Sequence, residues 1–275
     1  PVGYACTSSE KTFDLYLSTY GTFSHCTDKE SITLLADIAD HANQGAIVVS
    51  DWLGWQAYEW QNLWTETLAE DQVMQYIISY LTDPEEKENT EFDPFELRLM
   101  NKNTIQAIVN NAAQQSNKNL KLLSTFDRSV FIGRHMETGD YYPKPQPIRW
   151  VMNSLLEQGL RTDLERAFIK YEPRQGFQAT NSYFEQLVRC WNSLVQYVSE
   201  IMAGNNVFPP AGPPALQRAA GTMQQLVRAT ANLDLEDVRA NIIEPQLAYQ
   251  LRGLEAELQQ GEGRAHGIVA IMQVV

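Results

Sequence analysis

The stretch Asp51-Trp52-Leu53-Gly54-Trp55-Gln56-Ala57-Tyr58-Glu59-Trp60-Gln61-Asn62-Leu63-Trp64 holds four of the six tryptophans of this 275-residue chain. Their spacing is close to three and four residues, which places most of the aromatic area on one stripe of an α-helix. A buried ring removes about 150–250 Å² from water, so the stripe belongs in a core or an interface. The spacing predicts a helix over 51–81 at the centre of a helical bundle. A cofactor site or a base-stacking site is the alternative.

Apolar residues with the same spacing predict four more helices, near 30–43, 103–116, 150–170 and 182–203. The last is the clearest, because the pattern continues for six turns until Gly204 ends it. Strand signals are few. Residues 46–49 form a short strand or an apolar lead-in, and the alternation of Phe95, Leu97 and Leu99 predicts one short strand. The predicted fold class is therefore mainly α, with a very small β element.

Composition divides the chain into three predicted parts. Residues 1–45 are an N-terminal arm with one helix, and residues 46–204 are the helical-bundle core. Residues 205–275 are a linker followed by a helical appendage, because the proline-rich stretch Phe208–Pro214 is extended and stiff. Within that appendage the pattern predicts helices near 216–232 and 236–259, the second interrupted at Pro245, and an apolar tail at 268–275.

The charge of the chain is unevenly distributed. Its formal net charge is −13, which argues against a monomer that coats nucleic acid through a broad basic face. The segment 118–174 alone is net positive, with ten Lys or Arg against seven acidic residues. This segment is either a local site for a polyanion or an ordinary solvated surface.

Cysteine usage and hydropathy indicate the compartment. Cys6, Cys26 and Cys190 are odd in number and widely spaced, which predicts neither a disulfide framework nor a thiolate metal site. The chain contains no apolar run of about 18 residues and no signal-peptide pattern. We therefore expect a soluble protein of a reducing, intracellular compartment that does not contact membranes.

The sequence predicts no catalytic residue, no metal ligand and no cofactor. It lacks a nucleophile elbow, a Walker loop and the common zinc and di-iron motifs. The stretch Gly261–Gly267 resembles a phosphate loop, but its spacing is wrong and we expect a flexible hinge. Asp37 and His41 share one helix face and could bind a metal, although a surface contact is the expected role.

The order of elements resembles that of the coat proteins of rod-shaped helical plant RNA viruses, the tobacco mosaic virus group and its tobravirus and hordeivirus relatives. The resemblance covers residues 46–204. Its features are the Trp-rich hairpin over 51–81, an acidic loop before the strand at 95–99, a helix over 105–113, an Arg-bearing segment over 126–134 and a long last helix over 183–202. This chain is longer than those coats, and residues 1–45 and 205–275 have no counterpart.

The resemblance implies an antiparallel four-helix bundle with extra terminal arms. Its function would be a viral coat subunit, not an enzyme, that forms a helical filament around single-stranded RNA in the virion and the host cytoplasm. By position, Arg128 and Arg134 would contact RNA phosphates, with Arg98 as a weaker third. A subunit that is acidic overall can still bind RNA, because one basic strip per subunit is multiplied along the polymer.

Two alternatives remain open. One is an intracellular helical scaffold or adaptor that binds proteins through its aromatic face and its proline-rich linker, without nucleic acid. The other is a helical enzyme whose site is assembled from residues far apart in the sequence. Filaments with nuclease-sensitive absorbance at 260 nm would distinguish the coat protein from both.

Overall fold

The computed structural model describes residues 10–64, 72–79, 81–83, 85–136, 141 and 146–275. They belong to two compact units. The first combines Pro1–Val130 with Gln260–Val275 and has an α/β architecture, and the second is helical and comprises Phe131–Gln259. This division does not follow the predicted boundaries at 46 and 205.

The α/β unit is built around a six-stranded mixed sheet with the order β3-β4-β2-β6-β5, in which β1 also pairs with β2. Strand β2 is parallel to β1 and β4, whereas β6 is antiparallel to both β2 and β5. The predicted fold class, a mainly α four-helix bundle, is therefore wrong. The elements are β1 (Leu15–Ser18), α1 (Asp28–His41), β2 (Ile47–Gly54), β3 (Val73–Tyr76), β4 (Phe95–Met100), α2 (Lys102–Gln115), β5 (Leu120–Arg128) and β6 (Gly267–Val274).

Local capping explains where α1 and α2 begin. The Thr27 hydroxyl accepts the N–H of Glu30 at 3.2 Å, and the Glu30 carboxylate accepts the N–H of Thr27 at 2.9 Å, which is a capping box. The side chain of Asn101 caps α2 by accepting the N–H of Thr104 at 3.0 Å. The helices predicted near 30–43 and 103–116 are confirmed, as is the strand predicted at 95–99.

The core of this unit lies between one face of the sheet and the pair α1 and α2. Leu35 and Ile105 from the helices meet Trp52, Ile268 and Met272 from the sheet, and all five side chains are fully buried. Full burial of one such aliphatic side chain contributes about 1.5–3 kcal/mol. This layer therefore fixes which face of the sheet is turned inward.

The helix predicted over 51–81 is wrong. Residues 51–54 complete β2, Tyr58–Leu63 form a 3₁₀ helix, and β3 follows the undescribed residues 65–71. The four tryptophans of this stretch are nevertheless buried, and the indole N–H of Trp60 donates to the carbonyl of Gly54 at 3.0 Å. The expectation that this aromatic area lies in a core is confirmed, but the backbone that places it there is extended and tightly turned.

The helical unit contains α3 (Ile148–Ser154), α4 (Gln178–Met202), α5 (Pro214–Thr230) and α6 (Glu244–Leu258). Helices α4, α5 and α6 pack on one another. The helices predicted at 182–203 and 216–232 are confirmed, whereas that over 150–170 is wrong. The chain leaves α3 through Gly159, whose φ is 76°, and re-enters only a short 3₁₀ helix at Leu164–Ala167.

The helix predicted over 236–259 is not broken at Pro245, because the chain stays helical from Arg239 to Leu258 and only the type of helix changes there. A π-helix over Arg239–Ile243 runs directly into α6, and Pro245 occupies its first turn. Proline has no N–H to donate there, so the first turn is where it is tolerated. The buried Glu244 secures the junction, since its carboxylate accepts the N–H of Thr162 at 2.8 Å and pairs with Arg239 at 2.6 Å.

Candidate functional site

The sheet of the α/β unit has a second face, turned away from α1 and α2, which we call the open face. Side chains alternate along a strand, so the neighbours of the inward-facing Val48 and Trp52 point outward. The strand register extends this assignment across the sheet. The open face carries Leu15 and Leu17 of β1, Ile47, Val49 and Asp51 of β2, Val269, Ile271 and Gln273 of β6, and Lys121, Ser124 and Phe126 of β5.

Apolar side chains dominate the open face although solvent reaches it. Leu15 is 53% exposed, Leu17 is 63% exposed and Phe126 is 37% exposed, while Val49 and Ile271 between them are partly buried. A sheet face in contact with water normally carries polar side chains. A contiguous exposed apolar patch is typical of an interaction site.

The open face also differs in charge from the rest of this acidic chain. Its single carboxylate, Asp51, is buried and pairs with the guanidinium of Arg128, with 2.8 Å between Oδ2 and Nη2. Arg128 lies beside Gly267 at the end of the face, and Lys121 supplies one further positive charge. These three side chains sum to about one positive charge, so the open face has no excess of carboxylates.

The loop Gln260–His266 lies at the end of the sheet where β6 begins. The buried carboxylate of Asp127 accepts three consecutive backbone N–H groups of this loop, those of Glu262, Gly263 and Arg264, at 3.0, 2.7 and 3.2 Å. Burial raises the pKa of Asp127 above its ordinary value, and the three hydrogen bonds act in the opposite direction. The backbone donors that could have held a phosphate already bind a carboxylate of the chain itself.

Close backbone approaches hold this loop in place. Gly263 has a φ of 83°, and a Cβ atom there would lie 2.3 Å from the carbonyl oxygen of Met100. A Cβ atom on Gly54 would lie equally close to the carbonyl oxygen of Ala265. The loop is therefore a packed element, and the flexible hinge that we expected is not what the chain forms.

Glu59 forms a hydrogen-bonded pair with His266, the last residue of this loop. Glu59 is only 1% exposed, and its Oε1 contacts Nδ1 of His266, whose ring lies 5.7 Å from that of Trp60. A carboxylate on Nδ1 fixes the orientation of an imidazole, an arrangement that general bases share with structural histidines. No local pattern indicates this pair, because its members are 207 positions apart.

Two of the three arginines predicted to bind RNA, Arg98 and Arg128, lie on separate strands of the sheet, and each pairs with a carboxylate. Arg98 on β4 makes two hydrogen bonds to the carboxylate of Asp28, at 2.7 and 2.9 Å, and Arg128 on β5 pairs with Asp51. Strands β2 and β6 separate β4 from β5. Arg134 belongs to the helical unit, in a short 3₁₀ helix. At Arg98 and Arg128 a phosphate would have to displace a carboxylate.

Other predicted features can be placed as well. The His41 ring contacts the Tyr16 hydroxyl at 2.6 Å, and the described residues contain no cluster of three potential metal ligands. Burial raises the pKa of the thiols of Cys26 and Cys190, while Cys6 lies outside the described residues. Among the helices described, none has the length and apolarity needed to cross a membrane. The chain also contains a second proline-rich stretch, residues 143–147, which falls largely on undescribed residues.

Comparison of this chain with family models, with curated proteins and with solved structures gives no match in any of the three.

Proposed function

We propose that this protein is a self-associating structural subunit and that two copies meet through the open faces of their sheets. The apolar composition of that face carries the proposal. Leu15, Leu17 and Phe126 hold large side chains in water at positions where a solvated sheet has polar ones. The proposal keeps the structural and self-associating role that the resemblance implied, and it replaces the four-helix bundle with a sheet as the contact element.

The charge distribution favours a second copy of this chain as the partner that covers the open face. Two chains of net charge −13 repel each other, and the open face is a region in which carboxylates do not oppose carboxylates. A twofold axis brings the same patch of both subunits together, so the patch has to be compatible with itself. Apolar side chains satisfy this condition, and two sheets pack face to face at a separation of about 10 Å.

The size of the face sets the expected strength of association. Four strands spaced by about 4.8 Å and five residues long, at about 3.3 Å each, span on the order of 300 Å² per copy. Stable interfaces bury about 800 Å² per partner. We therefore expect a weak dimer from this contact alone. Several contacts per subunit would be needed for a stable assembly, in which avidity multiplies weak contacts.

Sedimentation velocity over roughly 10 µM to 1 mM subunit tests the proposal, because a weak dimer reveals itself by a rise in average mass with concentration. The informative variant is Leu17→Glu, since this side chain is 63% exposed and its replacement spares the core. In a twofold contact it places two like charges on the joined faces. We expect the wild-type mass to rise with concentration and the variant to remain monomeric.

Leu235→Glu is the matched control. Leu235 is 54% exposed and lies in the helical unit, so the change in charge is the same while the open face is untouched. This variant should associate as the wild type does. A wild type that stays monomeric at about 1 mM contradicts the proposal, as do two variants that associate equally.

A further inference from the structure

The connection between α4 and α5 contains a proline-rich segment, residues 207–213, with the sequence Val-Phe-Pro-Pro-Ala-Gly-Pro. It forms neither helix nor strand, and among the described residues no hydrogen bond involves positions 206–211. Pro213 has φ −56° and ψ 155°, which are polyproline II values. Three prolines in seven residues favour this stiff, extended conformation over a flexible coil.

Exposure along the proline segment follows a period of three. Val207, Pro210 and Pro213 are partly buried, whereas the four residues between them, Phe208, Pro209, Ala211 and Gly212, are exposed. The edge formed by Val207, Pro210 and Pro213 therefore lies against the helical unit, and this period matches the three residues per turn of a polyproline II helix. Phe208 is 94% exposed.

This arrangement presents an aromatic side chain on a rigid support. A Phe ring offers about 150–250 Å² of apolar surface, and nearly all of it is in water here. The backbone carbonyls of residues 207–211 accept no hydrogen bond within the described chain. Phe208 and Pro210 also border a cleft of about 670 Å³ along α4, which leaves room beside the segment for a side chain of a partner.

We propose that the proline segment is a docking site for a protein domain with an aromatic-lined groove for polyproline II helices, of the SH3, WW or EVH1 kind. Such a groove combines apolar pockets with donors to backbone carbonyls. Phe208 fills one pocket, and the exposed Pro209 packs beside it. Because the segment is already extended, binding loses little conformational entropy. This inference is independent of the open face, which lies in the other unit.

The experiment measures binding of the full chain to a panel of purified SH3, WW and EVH1 domains by surface plasmon resonance. At least one domain should bind the wild type, with a Kd below about 1 mM. Phe208→Ala should weaken that binding roughly tenfold or more, as removal of a central aromatic anchor does. Pro209→Gly should weaken it as well, because it loosens the extended conformation.

Tyr249→Ala is the control, since Tyr249 is 55% exposed on α6 and its removal takes away a comparable ring outside the segment. The affinity of the Tyr249→Ala variant for the same domain should equal that of the wild type. The circular dichroism of all three variants should be unchanged, because none of the side chains is buried. Absence of binding to every domain of the panel overturns the proposal, as does a Phe208→Ala variant that binds like the wild type.

Discussion

Substitution of Gly263 by Ala tests whether the loop before β6 is a rigid element. Gly263 has a φ of 83°, and its Cβ would lie 2.3 Å from the backbone oxygen of Met100. A backbone atom cannot move aside as a flexible side chain can, so the loop itself would have to shift. Gly45 provides a matched control in the same unit, because its φ is 84° and a Cβ there meets nothing within 4 Å.

The expected cost follows from the bonds that such a shift breaks. Gly45→Ala should cost about 1–2 kcal/mol, the penalty of a left-handed conformation for an L-residue. Gly263→Ala has the same penalty and also disturbs two hydrogen bonds. In one the N–H of Gly263 donates to the Asp127 carboxylate, and in the other the N–H of Gln56 donates to the carbonyl of Gly263. Loss of the two hydrogen bonds costs about 1 kcal/mol each, and leaving the buried Asp127 carboxylate without one of its donors costs about 1–3 kcal/mol. Together these terms add roughly 3–5 kcal/mol.

Urea unfolding followed by tryptophan fluorescence measures the difference, because the α/β unit holds four of the six tryptophans. We expect the free energy of unfolding of Gly263→Ala to lie roughly 3–5 kcal/mol below that of Gly45→Ala, a large part of the 5–15 kcal/mol of a typical domain. A difference below about 1 kcal/mol would refute the reasoning, and the loop would then be the hinge that the sequence first indicated.

Three further predictions concern single side chains. Trp191 is fully buried and donates its indole N–H to the Ala167 carbonyl at 2.9 Å. Trp191→Ala should therefore lower the free energy of unfolding, measured by chemical denaturation, by about 3–5 kcal/mol. A loss under about 1 kcal/mol would contradict the place of Trp191 in the core. Arg128→Gln should lower the free energy of unfolding by about 1–3 kcal/mol, because Asp51 stays buried without its ion pair while Arg128 itself is 39% exposed. RNA packaging remains a prediction, and Arg134→Gln tests it. The variant should reduce nuclease-sensitive absorbance at 260 nm in purified particles, and an unchanged ratio would remove Arg134 from the RNA hypothesis.

Helices with local signals could be predicted from the sequence. The capping box of Thr27 and Glu30 and the cap at Asn101 act within four residues, so the sequence alone contains all the participants. The long helix α4 has an apolar stripe that one segment displays completely, and Gly204 with a φ of 82° lies just beyond its end. These elements are stabilised by neighbours in sequence before they pack against anything.

The Trp-rich stretch shows where spacing alone misleads. Successive tryptophans are three, five and four residues apart, and the step of five between Trp55 and Trp60 does not fit a single helical face. The stretch is preceded by β-branched Val48 and Val49, which favour a strand. Gly54 then permits the close approach to Ala265 that ends β2. Because burial of the rings is common to both structures, aromatic content could locate a core without deciding its backbone.

The open face depends on pairing that no local pattern contains. The pattern of its central strand, β6, predicts an apolar tail, yet β6 pairs with β2, which lies more than 200 residues earlier in the sequence, and with β5, which lies 139–154 residues earlier. A continuous apolar run is typical of a strand buried on both faces. Once β6 is central, Ile268 and Met272 point toward α1 and α2, and Val269 and Ile271 necessarily point the other way. Only the first pair is fully buried by the described chain. The sequence of β6 therefore fits a strand that has a covering layer on each side, and the second layer is what we assign to another subunit.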